Sequence, residues 1–153
     1  METLSLIIAL VSVIVAVVSV VFSVITYNRT VKHDRKQATL EAYNRLQSEV
    51  FDNLNRYTPA QIRNICEEPT SPEYKTISGY LARIEHFCVG VNERIYDEDI
   101  FYAMAHGYFD GYQLKKRIEP LLEAKNKSNN TQQLYYVNIL AVLDWMKKRN
   151  NKS

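Results

Sequence analysis

His86 and Cys88 come closest to a nucleophile and base in this chain, and their spacing defeats the pairing. Two residues apart on a helix, they point about 160° away from each other. His106 has an acidic residue at helical spacing only in Asp110, a pair expected to be solvated. No G-x-S-x-G, P-loop, H-E-x-x-H or C-x-x-C occurs, and four glycines leave little for a phosphate-cradling loop. Cys66 and Cys88 are the only cysteines. Without a second pair or ligand-like spacing, both are expected to be buried thiols rather than a disulfide or a zinc site. The sequence thus supplies no catalytic residue, no metal site and no cofactor, and we read no enzyme.

Recognition chemistry is better represented. Eleven tyrosines invite a stacking role, but Tyr80, Tyr102 and Tyr136 fall at inward helical spacing and are expected in the core. Aromatic and basic residues come together once, where Phe101, Tyr102, Tyr108, Phe109 and Tyr112 precede Lys115, Lys116 and Arg117. A second basic cluster, Arg29, Lys32, His33, Arg35 and Lys36, follows an apolar stretch and suits anionic lipid or an anionic ligand.

That stretch carries Ser5, Ala9, Ser12, Ala16, Ser19, Ser23 and Thr26 in steps of 4, 3, 4, 3, 4, 3, with every other position from Leu4 to Ile25 being Leu, Ile, Val or Phe. The 24 uncharged residues would reach about 36 Å as a helix, enough for a hydrocarbon core of roughly 30 Å. A spacing of 3.5 puts the small residues on one face, where backbones can approach closely. The stripe therefore reads as a helix–helix interface or a pore wall, and the partner as another copy of the chain, with a tetramer as one candidate assembly. Phe22, the bulkiest residue of the span and near its inner end, is the candidate gate, closing by dewetting.

Charge sets the expected topology. Arg29, Lys32, Arg35 and Lys36 outnumber Asp34 after the span, while Glu2 is the only charged side chain before it. This places the N-terminus outside and the remainder in the cytosol, a single-pass membrane protein. The acidic Met1-Glu2-Thr3 start and the absence of A-x-A before Asn28 favour a retained span over a cleaved signal. On the cytosolic side the N-x-S/T triplets at Asn126 and Asn129 would stay unglycosylated. Beyond residue 27 basic residues exceed acidic ones by three, too few to mark a nucleic-acid protein.

No Pro or Gly precedes Pro59, so the span is expected to continue as a helix carrying Tyr43, Leu46, Val50, Leu54 and Tyr57 inward. Thr58-Pro59-Ala60-Gln61 opens a short helix ending near Glu68, and Ser71-Pro72-Glu73 opens another with Ile77, Tyr80, Leu81, Ile84, Phe87, Cys88 and Val91 on one face. Asp97 caps a third over Ile100 to His106, weakened by Gly107 and Gly111. A fourth bears Leu114, Ile118, Leu121 and Leu122 around Pro120. Residues 126–131 read as a loop, and Gln132 to Lys148 as the last helix, with Tyr136, Ile139, Leu140, Leu143 and Met146 inward. No segment alternates with period two, so the fold class is all-α: a transmembrane helix at 1–27, a juxtamembrane helix at 28–58 and a cytosolic helical domain at 59–153.

The order of these elements, with "NERIYDEDIFYAMAHGYF" and "IEPLLEAKN", resembles a family of small bacterial membrane proteins with a helical cytosolic domain of unassigned function. The layout is also similar to Hailong-type antiphage membrane effectors. That second resemblance implies a gated channel in antiviral defence and a nucleotide or oligonucleotide ligand made by a partner enzyme. From the residues themselves the alternative is a membrane-anchored helical adaptor that binds a protein partner and conducts nothing.

Overall fold

The computed structural model describes residues 2–109, 113–128 and 136–151. All described elements are helical: α1 (Glu2–Leu46), a π-helical turn (Gln47–Phe51), α2 (Asp52–Leu54), α3 (Pro59–Cys66), α4 (Pro72–Asn92), α5 (Glu98–Phe109), α6 (Gln113–Ser128) and α7 (Val137–Asn150). The chain divides into two compact units, Met1–Arg35 and Lys36–Ser153.

The described part of the first unit belongs to α1. Its Val and Ile content would disfavour a helix in water, because β-branched side chains lose χ1 freedom there. In lipid the balance reverses, since a lone segment can satisfy its backbone only as a helix. The most apolar window has a mean hydropathy of 2.8 and is nowhere buried by protein, and the helix is long and apolar enough to cross a membrane.

The second unit is organised around rings. Tyr43 of α1 makes edge contacts with Phe51, Phe87 and Phe101 at centroid distances of 6.0, 6.3 and 6.4 Å. Phe101 in turn meets Phe87 at 5.5 Å and Phe109 at 5.3 Å. Each such pair contributes about 0.5–1.5 kcal/mol beyond the area it buries. The π-helical turn completes the cluster: the Asp52 N–H donates to Gln47 O, five residues back, and this wider turn carries both Val50 and Phe51 into the core. Tyr43, Leu46, Val50 and Leu54 are buried as their spacing indicates, while Tyr57 is half-buried.

Local signals account for the starts of α3, α4 and α5. Thr58 and Gln61 form the reciprocal capping box of α3, with Gln61 N–H donating to Thr58 Oγ1 at 3.2 Å and Thr58 N–H to Gln61 Oε1 at 2.8 Å. Ser71 caps α4 through the Tyr74 N–H, and Asp97 accepts from the Ile100 N–H at 3.0 Å to start α5. The Thr39 hydroxyl, fully buried, accepts the Asp97 N–H at 2.7 Å and so ties α1 to that same corner.

Several boundaries depart from the sequence expectation. α5 runs through Gly107 to Phe109 because Phe109 is drawn into the core, which outweighs the roughly 1 kcal/mol cost of a helical glycine. α6 continues to Ser128, so residues 126–128 are helix rather than loop, and Pro120 is accommodated within it. α7 starts at Val137, not Gln132, because Tyr136 adopts a left-handed backbone (φ 60°, ψ 41°) incompatible with a continuing α-helix. Residues 132–135 lie outside the described part. On α7 Leu140 is exposed and Val142 is buried in its place, while Ile139 and Met146 are core and Leu143 is half-buried. Cys88 is buried but Cys66 is only partly so, and both are free thiols.

Candidate functional site

On α1 the side chains of Ala9, Ser12, Ala16, Ser19, Ser23 and Thr26 are exposed, while that of Ser5 lies outside the described residues. Ser19 Oγ donates to Val15 O and Ser23 Oγ to Ser19 O, each at 2.8 Å. Each donor is thereby satisfied by the carbonyl one turn back. What the face then presents is small, with spare hydroxyl lone pairs and no donor left unmet at those two serines. Phe22 is 70% exposed on the same helix.

Of the basic cluster, Arg29, Lys32 and His33 are exposed and Arg35 is half-buried, all in the first unit, and Lys36 is exposed at the start of the second. His33 Nδ1 lies 3.9 Å from Asp34 Oδ1, a contact that acts as an ion pair only with the ring protonated.

The aromatic–basic cluster is mostly structural. Phe101 and Phe109 are core residues, and Tyr108 stacks on Phe51 at 4.2 Å. Burial pushes the Tyr108 hydroxyl up to about 12, against a smaller opposing pull from Arg117. The Arg117 guanidinium donates to the carbonyls of Leu54 (3.3 Å) and Tyr57, closing the C-terminal end of the α2 turn with a cation. Tyr102 bonds to Asn150, and the Arg149 guanidinium lies 4.3 Å from its ring centroid. Lys115 and Lys116 are exposed, and Tyr112 is outside the described residues.

His86 and Cys88 face different surroundings. His86 is exposed while Cys88 is buried, its thiol held well above the ordinary cysteine range by burial and by the nearby Glu85 carboxylate. Asp110 is outside the described residues. Among the described residues no group of three or more His, Cys, Asp or Glu side chains could hold a metal ion.

The structure also assembles residues that the sequence reading did not connect. A cleft of about 490 Å³ in the second unit is walled by α1, the π-helical turn and α4. Arg45, Glu49, Arg83 and His86 form its polar rim, and Leu46, Val50 and Phe87 line its apolar part. Arg83 Nη1 and Glu49 Oε2 lie 2.9 Å apart across it. The signal was present as polar residues one step beside the buried faces of two helices, but only packing shows that those edges meet.

A family model described as a domain of unknown function, DUF4760, matches residues 6–149, nearly the whole chain. The chain belongs to the DUF4760 family. No curated protein and no solved structure is significantly similar to it. The match agrees with the expected membership in a family of unassigned function. It reaches into both units of this DUF4760 chain, so the long apolar helix and the helical domain belong to one family pattern. It adds nothing for the likeness to Hailong-type effectors.

Proposed function

We propose that this chain is a homo-oligomeric, single-span membrane protein whose spans pack through the small-residue face and form a gated pore. The observation that carries this reading is the exposed face itself: Ala9, Ser12, Ala16, Ser19, Ser23 and Thr26 lie on one line of the apolar part of α1, which no described residue covers. Close packing of small residues is what drives association where lipid tails remove the hydrophobic driving force. The positive residues from Arg29 to Lys36 favour an N-out, C-in orientation in a bacterial inner membrane, and would ring the inner mouth of a bundle.

In this reading Phe22 is the constriction, the helical domain is the sensing part, and the controlling ligand is an anion of the nucleotide type, with antiphage defence as the setting. The adaptor reading is favoured by a different observation. Ser19 and Ser23 satisfy their donors within α1, so the face can close as a dry seam without water.

Single-channel recording of purified protein in planar bilayers separates the two. Discrete conductance that disappears in Ser12→Leu/Ser19→Leu, together with a fall from oligomer to monomer in detergent, is the expected result. An oligomer of unchanged size in the double variant removes the seam. A wild-type protein that oligomerises but never conducts leaves the adaptor.

A further inference from the structure

The rim of the α1–α4 cleft is cationic out of proportion to its one acid. Arg45 and Arg83 carry fixed charges, His86 adds a ring donor, and the only carboxylate is Glu49. Arg45 enters none of the ion pairs recorded among the described residues. The Arg83–Glu49 pair leaves its side chains 59% and 51% exposed, and such surface pairs contribute only about 0–1 kcal/mol. A better anion can therefore take Arg83 from Glu49.

The competing group should carry more than one carboxylate does. Glu49 already supplies a carboxylate from within the chain, so a carboxylic acid ligand gains little by replacing it. A phosphate monoester carries close to two negative charges at neutral pH and three terminal oxygens, which suit the fork of an arginine and leave oxygens for a second one. The other side of the cleft is apolar, made by Leu46 and Phe87, which keep 6% and 5% of their surface exposed, over a fully buried Val50. Its volume of about 490 Å³ lies inside the usual range for small-molecule sites, roughly 300–1,000 Å³.

We propose that this cleft binds a small phosphate monoester, with the phosphate on Arg45, Arg83 and His86 and an apolar body against Leu46 and Phe87. The π-helical turn contributes directly, since Glu49 and Val50 both belong to it. Glu49 then acts as the intramolecular competitor that holds Arg83 until the ester arrives. The proposal rests on the reading of the helical domain as a sensing part only for its biological purpose. Binding is measured without conduction, so either can fail while the other stands.

The test uses the full chain in phosphatidylcholine nanodiscs and 4-methylumbelliferyl phosphate as the probe, by equilibrium dialysis against empty discs. Saturable binding of one probe per chain is expected, with 4-methylumbelliferone lacking the phosphate, and inorganic phosphate lacking the body, each about tenfold weaker or more. Arg45→Gln/Arg83→Gln should lose about tenfold or more, the scale on which removal of a charged hydrogen bond is felt. Glu49→Gln should instead tighten binding, and circular dichroism melts check that each variant is folded.

AMP and phosphatidic acid then separate a soluble ester from a lipid headgroup. Displacement by AMP, or loss of the site in discs containing phosphatidic acid, supports a phosphate site and names its source. Absence of probe binding, equal binding by the arginine double variant, weaker binding by Glu49→Gln, or indifference to both competitors overturns it.

Discussion

Gly79 and Gly90 lie on the same helix, α4, and meet opposite surroundings. A Cβ at Gly79 would meet no atom within 4 Å, whereas one at Gly90 would lie 2.5 and 2.7 Å from the Tyr96 ring. That ring is stacked on Phe87 at 4.9 Å, and its own backbone N–H donates to Gly90 O, so it has little room to retreat. Gly79→Ala should stabilise by about 0.5–1 kcal/mol through helix propensity, and Gly90→Ala should destabilise by about 1–3 kcal/mol through overpacking. Thermal melts should move in opposite directions, and a shared sign would refute the packing argument. Phe22 is a residue-scale test of the pore. Phe22→Ser should leak at rest and be toxic on expression while Phe22→Leu stays nearly normal. If Phe22→Ser at matched expression adds no conductance, the gate is elsewhere or absent.

Among the elements, α7 depends on a distant cap. Its own N-cap residue, Tyr136, makes no side-chain cap bond, and Glu85 of α4 serves instead. One Glu85 oxygen accepts from the Asn138 N–H at 3.0 Å and its side-chain amide at 2.8 Å, and the other from the Ile139 N–H at 2.9 Å. A carboxylate at a helix N-terminus satisfies orphan donors and complements the dipole. Glu85→Ala should therefore cost about 1–2 kcal/mol, with a smaller loss for Glu85→Gln, which keeps an acceptor. Amide exchange at Asn138 and Ile139 should accelerate in step. A variant with wild-type melting and exchange would show that packing of α4 on α7 holds the helix without the cap.

For the molecule as a whole, buried acids set the alkaline limit. Burial raises Tyr43 and Tyr108 above the ordinary tyrosine value of 10.0, Tyr108 to about 12, and raises Cys88 above the ordinary thiol value of 9.0. Each raised group favours the fold fully while the unfolded chain is still protonated. That contribution disappears as pH climbs through the folded value. Melting temperature should thus hold to about pH 9 and fall towards pH 12, with phenolate absorbance from the last tyrosines appearing together with loss of helix. Tyrosines that all ionise near pH 10 with the helix signal intact would contradict the burial.

The amino-acid order alone determined the helical class, the long apolar helix, the Thr58/Gln61 and Ser71 starts, and most of the α4 core face. These rest on local physics: side-chain periodicity, the reach of a capping oxygen, and proline's fixed φ. The stripe from Ala9 to Thr26 was equally legible, because that part of α1 is not buried by any described residue. Only the tertiary structure decided the rest. Phe51 enters the core through a wider turn that α-helical spacing does not anticipate, and α5 passes Gly107 because Phe109 has a core to reach. The left-handed backbone of Tyr136 fixes the start of α7 at Val137, under a cap supplied 53 residues away. Arg117 looked like half of a binding patch until α6 placed it on the carbonyls of Leu54 and Tyr57. The cleft was out of reach for the same reason: Arg45 and Arg83 are 38 positions apart, and a charge beside an apolar face reads as a solvated edge until packing brings two such edges together.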